Sequence, residues 1–284
     1  MSTTTAAGRR PSRATGWITL LVLVFLALFY VFPFVVQVLG SFKTDADATN
    51  NPMGLPQVWT TAAYHRLFQN SDFPRWFANS VLVTLVVTAG RVFFNSLAGY
   101  ALARLRFPGR KLVFLTLIAV MSVPAVVLLI PKFLVIKTLG IYDSYPALMF
   151  PLLVDAAGVF IMKNFFESIP PAVEEAARID GAGTFRTFWS VVLPMATPAL
   201  VTITILSFQG SWNEYSHFII ASSDPNLTTL TKGVGTLASG GLGGKANQYP
   251  LKLGAALIMT LPVAALFFVF QKRIMNTSAG AVKE

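Results

Sequence analysis

Six long apolar runs separated by short polar segments set the pattern of this chain, at about residues 17–40, 77–103, 112–136, 146–165, 196–220 and 251–271. Each reaches the roughly 20 mostly apolar residues that an α-helix needs to cross a bilayer core. In lipid a helix satisfies every backbone polar group within its own segment, so helices are the expected form of these runs. The predicted fold is an all-α membrane protein with six transmembrane helices in one domain over 17–271, with polar tails at 1–16 and 272–284. The first run follows Arg9, Arg10 and Arg13 as a signal peptide would. It is too long for a signal core, and no small-x-small cleavage pattern follows, so a retained anchor is expected. Pro33, Pro124, Pro131, Pro151 and Pro262 interrupt the runs. Each removes a backbone donor, which leaves two readings open: ordinary kinks, or broken helices that line a path for a solute.

Composition agrees with the pattern. The 284 residues are 54% hydrophobic and 12% charged, against about 25% charged in a typical soluble domain, and the mean hydropathy is +0.63. No polar stretch is large enough for a second domain. Cysteine is absent, which excludes disulfides and thiolate metal sites. The net charge of +10 is carried in short clusters between apolar runs, not on one long polar face, so it points to membrane topology and away from nucleic acid. Lys and Arg fall thirteen to eight between alternating sides, with Arg91 inside a run. The richer side holds both tails and the segments 104–111 and 163–186, which predicts cytoplasmic termini.

Three connections are long enough to carry function: 41–76 and 221–250 on the outer side, and 166–195 on the inner side. The turn Phe107-Pro108-Gly109-Arg110 reads as purely structural. The inner segment contains SIPPAVEEAARIDG over 168–181, followed by AGTFRTFWSVVLP over 182–194. Ser168 is a candidate helix cap, with Pro170 and Pro171 in the first turn, Glu174 and Glu175 near the positive helix end, and Gly181 as a left-handed stop. Thr184 is a candidate cap of a second short helix ending before Pro194. The expectation is a helix–turn–helix on the cytoplasmic face. Ala176 and Ala177 let another surface approach the backbone closely, beside carboxylates able to pair with a partner's arginine. The alternative, an amphipathic helix lying on lipid, expects a Lys/Arg-rich polar face opposite aromatic residues, which this stretch lacks.

Glu175-Ala176-Ala177, then Gly181, then Leu193-Pro194 resembles the EAA motif of permease subunits of bacterial ABC importers. The resemblance covers nearly the whole chain. Through SLAGYALARLRFPGR over 96–110 and Trp212-Asn213-Glu214-Tyr215, it extends to the carbohydrate-uptake branch typified by the smaller maltose permease subunit. It implies a six-helix subunit, without enzymatic activity, in the bacterial inner membrane. That subunit pairs with a second permease subunit, rests on two copies of a cytoplasmic ATPase, and receives a sugar from an extracytoplasmic binding protein. It implies no cofactor on this chain, because ATP and Mg are bound by the ATPase subunits. Carried over by position, Glu175 pairs with an ATPase arginine, Ala176 and Ala177 pack closely, Gly181 makes the turn and Asp180 braces it, with Glu174 in the same coupling helix. The loop 221–250 is implied to probe the binding protein.

Other candidates carry weaker chemistry. Residues 240–245, GGLGGK, approach a phosphate-binding loop, but Ser239 stands where that pattern needs Gly and Ala246 where it needs Ser or Thr. Trp212, Asn213, Glu214 and Tyr215 are candidates for the substrate pathway, through ring stacking on sugar and hydrogen bonds to hydroxyls, or else an interfacial anchor. Arg91 and Asp155 sit mid-span, where an ionised group costs about 2.5–3.5 kcal/mol, so an intramembrane ion pair is expected. It serves either helix association or the pathway, and the family resemblance supplies no role for Arg91. His65 and His217 have no carboxylate or cysteine at metal-ligand spacing, so no metal site is indicated. No Gly-x-Ser-x-Gly or His-Glu-x-x-His pattern occurs, so no catalytic residues are assigned. The rival transport class, a stand-alone ion-coupled carrier, predicts internal repeats, and no convincing repeat is present.

Overall fold

The computed structural model describes residues 13–69, 71–239 and 248–280, and these are helical with connecting turns and no strands. In chain order the helices are α1 Arg13–Ser41, α2 Asp45–Asn50, α3 Ala62–Gln69, α4 Phe73–Arg104, α5 Arg110–Met121, α6 Leu129–Thr138, α7 Tyr145–Met149 and α8 Ala156–Ser168. They continue as α9 Pro171–Ile179, α10 Thr184–Thr187, α11 Leu193–Met195, α12 Thr197–Trp212, α13 Ser216–Ala221, α14 Leu230–Ala238 and α15 Tyr249–Gly280. Four stretches are long and apolar enough to cross a membrane, and two bent helix pairs raise the number to six if each pair is one span. The ends of the chain, residue 70, and the segment 240–247 with its glycine-rich string lie outside the described residues.

The prolines act differently from one another. Pro33 and Pro262 sit inside unbroken helices, whereas the run at 112–136, expected to be one helix, is two. A 105° bend separates Arg110–Met121 from Ala125–Thr138, because Pro124 has no N–H to continue the ladder and biases its predecessor away from helix. At about 1.5 Å per residue α5 is only about 18 Å long, short of the roughly 30 Å hydrocarbon core. The fourth run also breaks, passing from α7 through a tight 3-10 turn at Phe150–Leu152 before α8 begins at Ala156. The fifth run was expected over 196–220. Its helix instead starts at Thr184, runs past Pro194 to Met195 through a π-helical turn at Phe188–Val192, bends by 80° and ends at Trp212.

The chain divides into two compact units, residues 1–67 with 244–257 and residues 68–243 with 258–284. In the first, Tyr64 packs on Phe42 at 5.3 Å and donates its hydroxyl to Ser41 Oγ at 2.7 Å, while Arg66 forks onto Asp45. In the second, α4 is the central element, packed against α8 and α12. Gly99 on α4 permits the close approach: a Cβ there would lie 2.6 Å from the Met162 side chain and 2.9 Å from the backbone nitrogen of Lys163. One apolar cluster, built on Tyr100, Met162, Phe166, Phe188 and Ile203, closes the end of α4 that carries Arg104. Another, on Val83, Val87, Ile136, Leu148 and Phe218, closes the opposite end.

The described part of the 221–250 connection is built into the fold. Asn79 on α4 donates to the carbonyls of Asn226 and Thr228 at 2.8 and 2.9 Å, and Ser80 accepts from Leu230 N–H at 2.7 Å. These bonds seat α14, whose Gly233 approaches the Trp76 ring so closely that a Cβ there would collide with a ring carbon. Asp143 holds the preceding segment. Desolvation alone would raise its carboxylate pKa, but hydrogen bonds from Ser223 N–H, the Ser222 hydroxyl and Asp224 N–H together outweigh it and hold the group below the usual range.

Candidate functional site

The segment between α8 and α12 folds as a helix, a left-handed turn and a second helix, but its caps differ from expectation. Ser168 ends α8 and donates back to Phe165 O at 2.7 Å. Pro170 takes the cap position of α9 and Pro171 its first helical place, where a missing N–H costs nothing. Gly181 has φ +80°, and the turn closes through Gly181 N–H to Arg178 O at 3.0 Å and Ala182 N–H to Ala177 O at 2.9 Å. Asp180 is the C-cap, donating its N–H to Ala176 O at 3.0 Å. Thr184 opens the second helix as its first residue; Gly183 is the cap.

The six residues singled out on this segment divide into two faces. Glu174 and Ala177 are buried and Val173 is half-buried against the Tyr100–Phe188 cluster, whereas Glu175, Ala176, Asp180 and Gly181 are exposed. The spacing of 173, 174 and 177 is one helical stripe. Ala177 therefore packs against its own chain and not outward.

Glu174 is held by Arg104, the last residue of α4, across a close ion pair of 3.0 Å, with both side chains nearly excluded from solvent at 6% and 12%. Arg178 lies 3.7 Å from the other Glu174 oxygen, and the Tyr100 hydroxyl donates to it at 3.5 Å, the outer limit of a hydrogen bond. The Arg104 guanidinium also donates to the carbonyls of Phe166, at 2.6 Å, and Ile169. Arg104 thus adds a donor to carbonyls at the end of α8, where helix partners run out, and places a cation beside a carboxylate in the first turn of α9. One step further, Arg110 donates to the carbonyls of Ala103 and Leu105 at 3.0 and 3.4 Å and lies 3.6 Å from Glu167, which pairs with Lys163 at 2.7 Å. The stretch 96–110 and the segment 168–181, distant in sequence, meet here around a cleft of about 600 Å³.

Arg91 and Asp155 do come together, but loosely, with Arg91 Nε 3.9 Å from Asp155 Oδ2. Each has a closer partner. Arg91 Nε donates to Leu152 O at 2.6 Å; Asp155 caps α8 by accepting Gly158 N–H at 2.8 Å and accepts from Asn95 Nδ2 at 2.9 Å. The break at Pro151 exposes both that carbonyl and that helix start, so each ion compensates a backbone group. Asn95 completes the cluster and was not anticipated; no spacing rule links it to Asp155.

The four pathway candidates at 212–215 separate. Trp212 is buried, stacks on Phe208 at 5.8 Å and donates Nε1–H to Met259 O at 3.0 Å, which leaves no ring face for a sugar. Glu214 accepts His217 N–H at 2.8 Å. Asn213 and Tyr215 remain exposed in the turn after α12. His217 is buried with Nε2 3.0 Å from Ala147 O, and His65 is exposed.

The described residues thus form a helical membrane chain whose second unit is built on α4 and carries a surface helix held by a buried ion pair, the setting in which comparison with known proteins places a permease subunit. The model of the binding-protein-dependent transport system inner membrane component family matches residues 95–274, and the chain belongs to that family of ABC importer permeases. It is 30% identical to the diacetylchitobiose uptake system permease protein NgcG of Streptomyces coelicolor, over 92% of this chain and 85% of that protein. It is 34% identical to the sulfoquinovosyl glycerol transport system permease protein SmoH of Agrobacterium fabrum, over 89% of each. The crystal structure of a bacterial ABC transporter that imports the acidic polysaccharide alginate contains a chain that superposes with TM-score 0.80 at 26% identity, covering 94% of this chain and 99% of that one. The chain is accordingly a multi-pass inner-membrane protein whose family works with an ATPase and a substrate-binding protein.

Proposed function

We propose that this chain is the permease subunit of an ATP-driven importer that moves a sugar, mono- or oligosaccharide, inward after delivery by an extracytoplasmic binding protein. It pairs with a second permease subunit on two copies of an ATPase, has six spans, and keeps both termini in the cytoplasm. The relatives named for diacetylchitobiose and sulfoquinovosyl glycerol, and the alginate importer, support a carbohydrate substrate. The single observation that carries the coupling role is the two-faced α9. Glu174 fastens it to Arg104 at the end of α4 and Ala177 is buried beside it in the chain, while Glu175 and Ala176 face outward beside the Gly181 turn. A helix fastened in this way moves with α4 and α8 as a rigid body when an ATPase pulls on its outer face, and ATP binding energy reaches the spans only through such differential contacts.

Glu175→Lys tests this. The residue lies outside every apolar run, so membrane insertion stays normal, while a cation is set opposite an ATPase arginine; like-charge juxtaposition at an interface costs several kcal/mol. ATPase co-purification with tagged permease and sugar uptake should both fall. Full ATPase retention with full uptake would remove the docking assignment. The substrate is then found by sugar-stimulated ATPase activity of the reconstituted complex across a sugar panel.

A further inference from the structure

The cleft beside α9 holds more cationic charge than its internal contacts consume. Four arginines line it, Arg104, Arg106, Arg110 and Arg178, against Glu174 and Glu175. Arg104 and Arg110 are spent on backbone carbonyls and on Glu174 and Glu167. Arg106 is exposed and, among the described residues, makes no hydrogen bond or ion pair, and Arg178 is 62% exposed with one contact at 3.7 Å. Two guanidinium groups, one on the turn after α4 and one on α9, therefore face the same open space. Pro171 and Glu174 of the first turn of α9 line it as well.

The position of the cleft says what reaches it. The turn holding Arg106 leads directly into α5, whose Leu112, Val113 and Leu115 are 68%, 50% and 61% exposed, an apolar surface that only lipid or another apolar span covers. Arg106, Arg110 and Lys111 stand just where that surface stops, which is the level of the headgroups. Basic pockets at this level between membrane helices are suited to anionic lipid headgroups, and the planar guanidinium fork matches a phosphate.

We propose that the cleft binds the phosphodiester of an anionic glycerophospholipid of the cytoplasmic leaflet, with Arg106 and Arg178 as its two phosphate ligands. The inference rests on the cytoplasmic placement of α9. A lipid held this way ties the α4–α5 turn to α9 from outside, parallel to the Arg104–Glu174 pair inside. An acidic segment of the ATPase is the competing occupant; the opening beside the apolar face of α5 favours the lipid.

The experiment is native mass spectrometry of the full complex in mild detergent, titrated with dioleoyl phosphatidylglycerol or dioleoyl phosphatidylcholine. Wild type should retain phosphatidylglycerol several-fold over phosphatidylcholine. Arg106→Gln/Arg178→Gln should abolish the preference, and Arg106→Lys/Arg178→Lys should keep most of it. Both sites are exposed, so folding is preserved, and monodispersity on gel filtration checks this. An unchanged preference in the glutamine variant overturns the proposal. So does loss of the ATPase from that variant with lipid retention intact, which assigns the cleft to an ATPase segment. Failure of the coupling reading is read separately, from normal ATPase retention in Glu175→Lys.

Discussion

Arg104 belongs to the quoted stretch 96–110, yet its role depends on a contact with a residue 70 positions away, which no local periodicity encodes. Its partner Glu174 stands next to Glu175 in a pair of identical residues, and only the helical phase decides that one carboxylate turns inward and the other out. Breaking such a pair by removing one partner costs roughly 3–5 kcal/mol, because the remaining charge stays buried, whereas an apolar replacement of both is often neutral. Glu174→Gln should therefore lower thermal stability in detergent and loosen ATPase retention, and Arg104→Met/Glu174→Leu should recover much of the stability. Equal losses in the two would mean that the ion pair does not hold α9. At Asp155 the capping bond to Gly158 N–H and the bond from Asn95 are shorter than the 3.9 Å approach to Arg91. Asp155→Asn keeps a capping oxygen and should be milder than Asp155→Ala, which loses the cap at a cost of about 1 kcal/mol. Thermal midpoints of the two variants, measured side by side, check the order.

Among the helices, the apolar runs predicted existence and type well but not continuity. Pro33 and Pro262 pass through intact helices while Pro124 and Pro151 stand at breaks, and the sequence marks all four alike. What differs is tertiary: near Pro151 the freed Leu152 carbonyl and the new helix start find Arg91, Asp155 and Asn95, so the break is compensated from α4. The α9 turn was legible because a glycine at a positive φ is a local demand, and its two faces were not, because facing requires knowing where α4 ends. Two substitutions separate those levels. Gly181→Val forces a β-branched residue to φ +80° and should cost at least the roughly 1–2 kcal/mol of a left-handed residue, reducing ATPase retention while the spans still insert. Ala177→Trp should lower the folded yield of the permease itself, since Ala177 is buried against its own chain, whereas Ala176→Trp should spare the yield and block docking. Yield on gel filtration and ATPase co-purification report the two effects independently, and the reverse order would mean that the faces of α9 are exchanged.

For the whole molecule the question is how many times the chain crosses. The charge pattern predicts six crossings with both ends inside, but the bent pair of α5 with Ala125–Thr138 is geometrically compatible with either a broken span or a re-entrant loop. Neither half is long enough to cross alone, and hydropathy is the same in both cases. We propose a span, on the charge pattern: Arg104, Arg106, Arg110 and Lys111 cluster at the start of the pair, while only Lys132 and Lys137 lie toward its far end. The absence of cysteine makes the test direct, because any introduced thiol is the sole target for a membrane-impermeant maleimide. Thr138→Cys and Ser239→Cys, both at exposed positions, should label in intact cells, and Lys111→Cys and Asp180→Cys only after permeabilisation. Tags at Ser2 and Glu284 should report the cytoplasm. Labelling of Thr138→Cys only after permeabilisation would make the pair re-entrant and leave the first four runs with three crossings. Residue 180 would then lie on the side opposite residue 111, and an outward α9 could not meet a cytoplasmic ATPase.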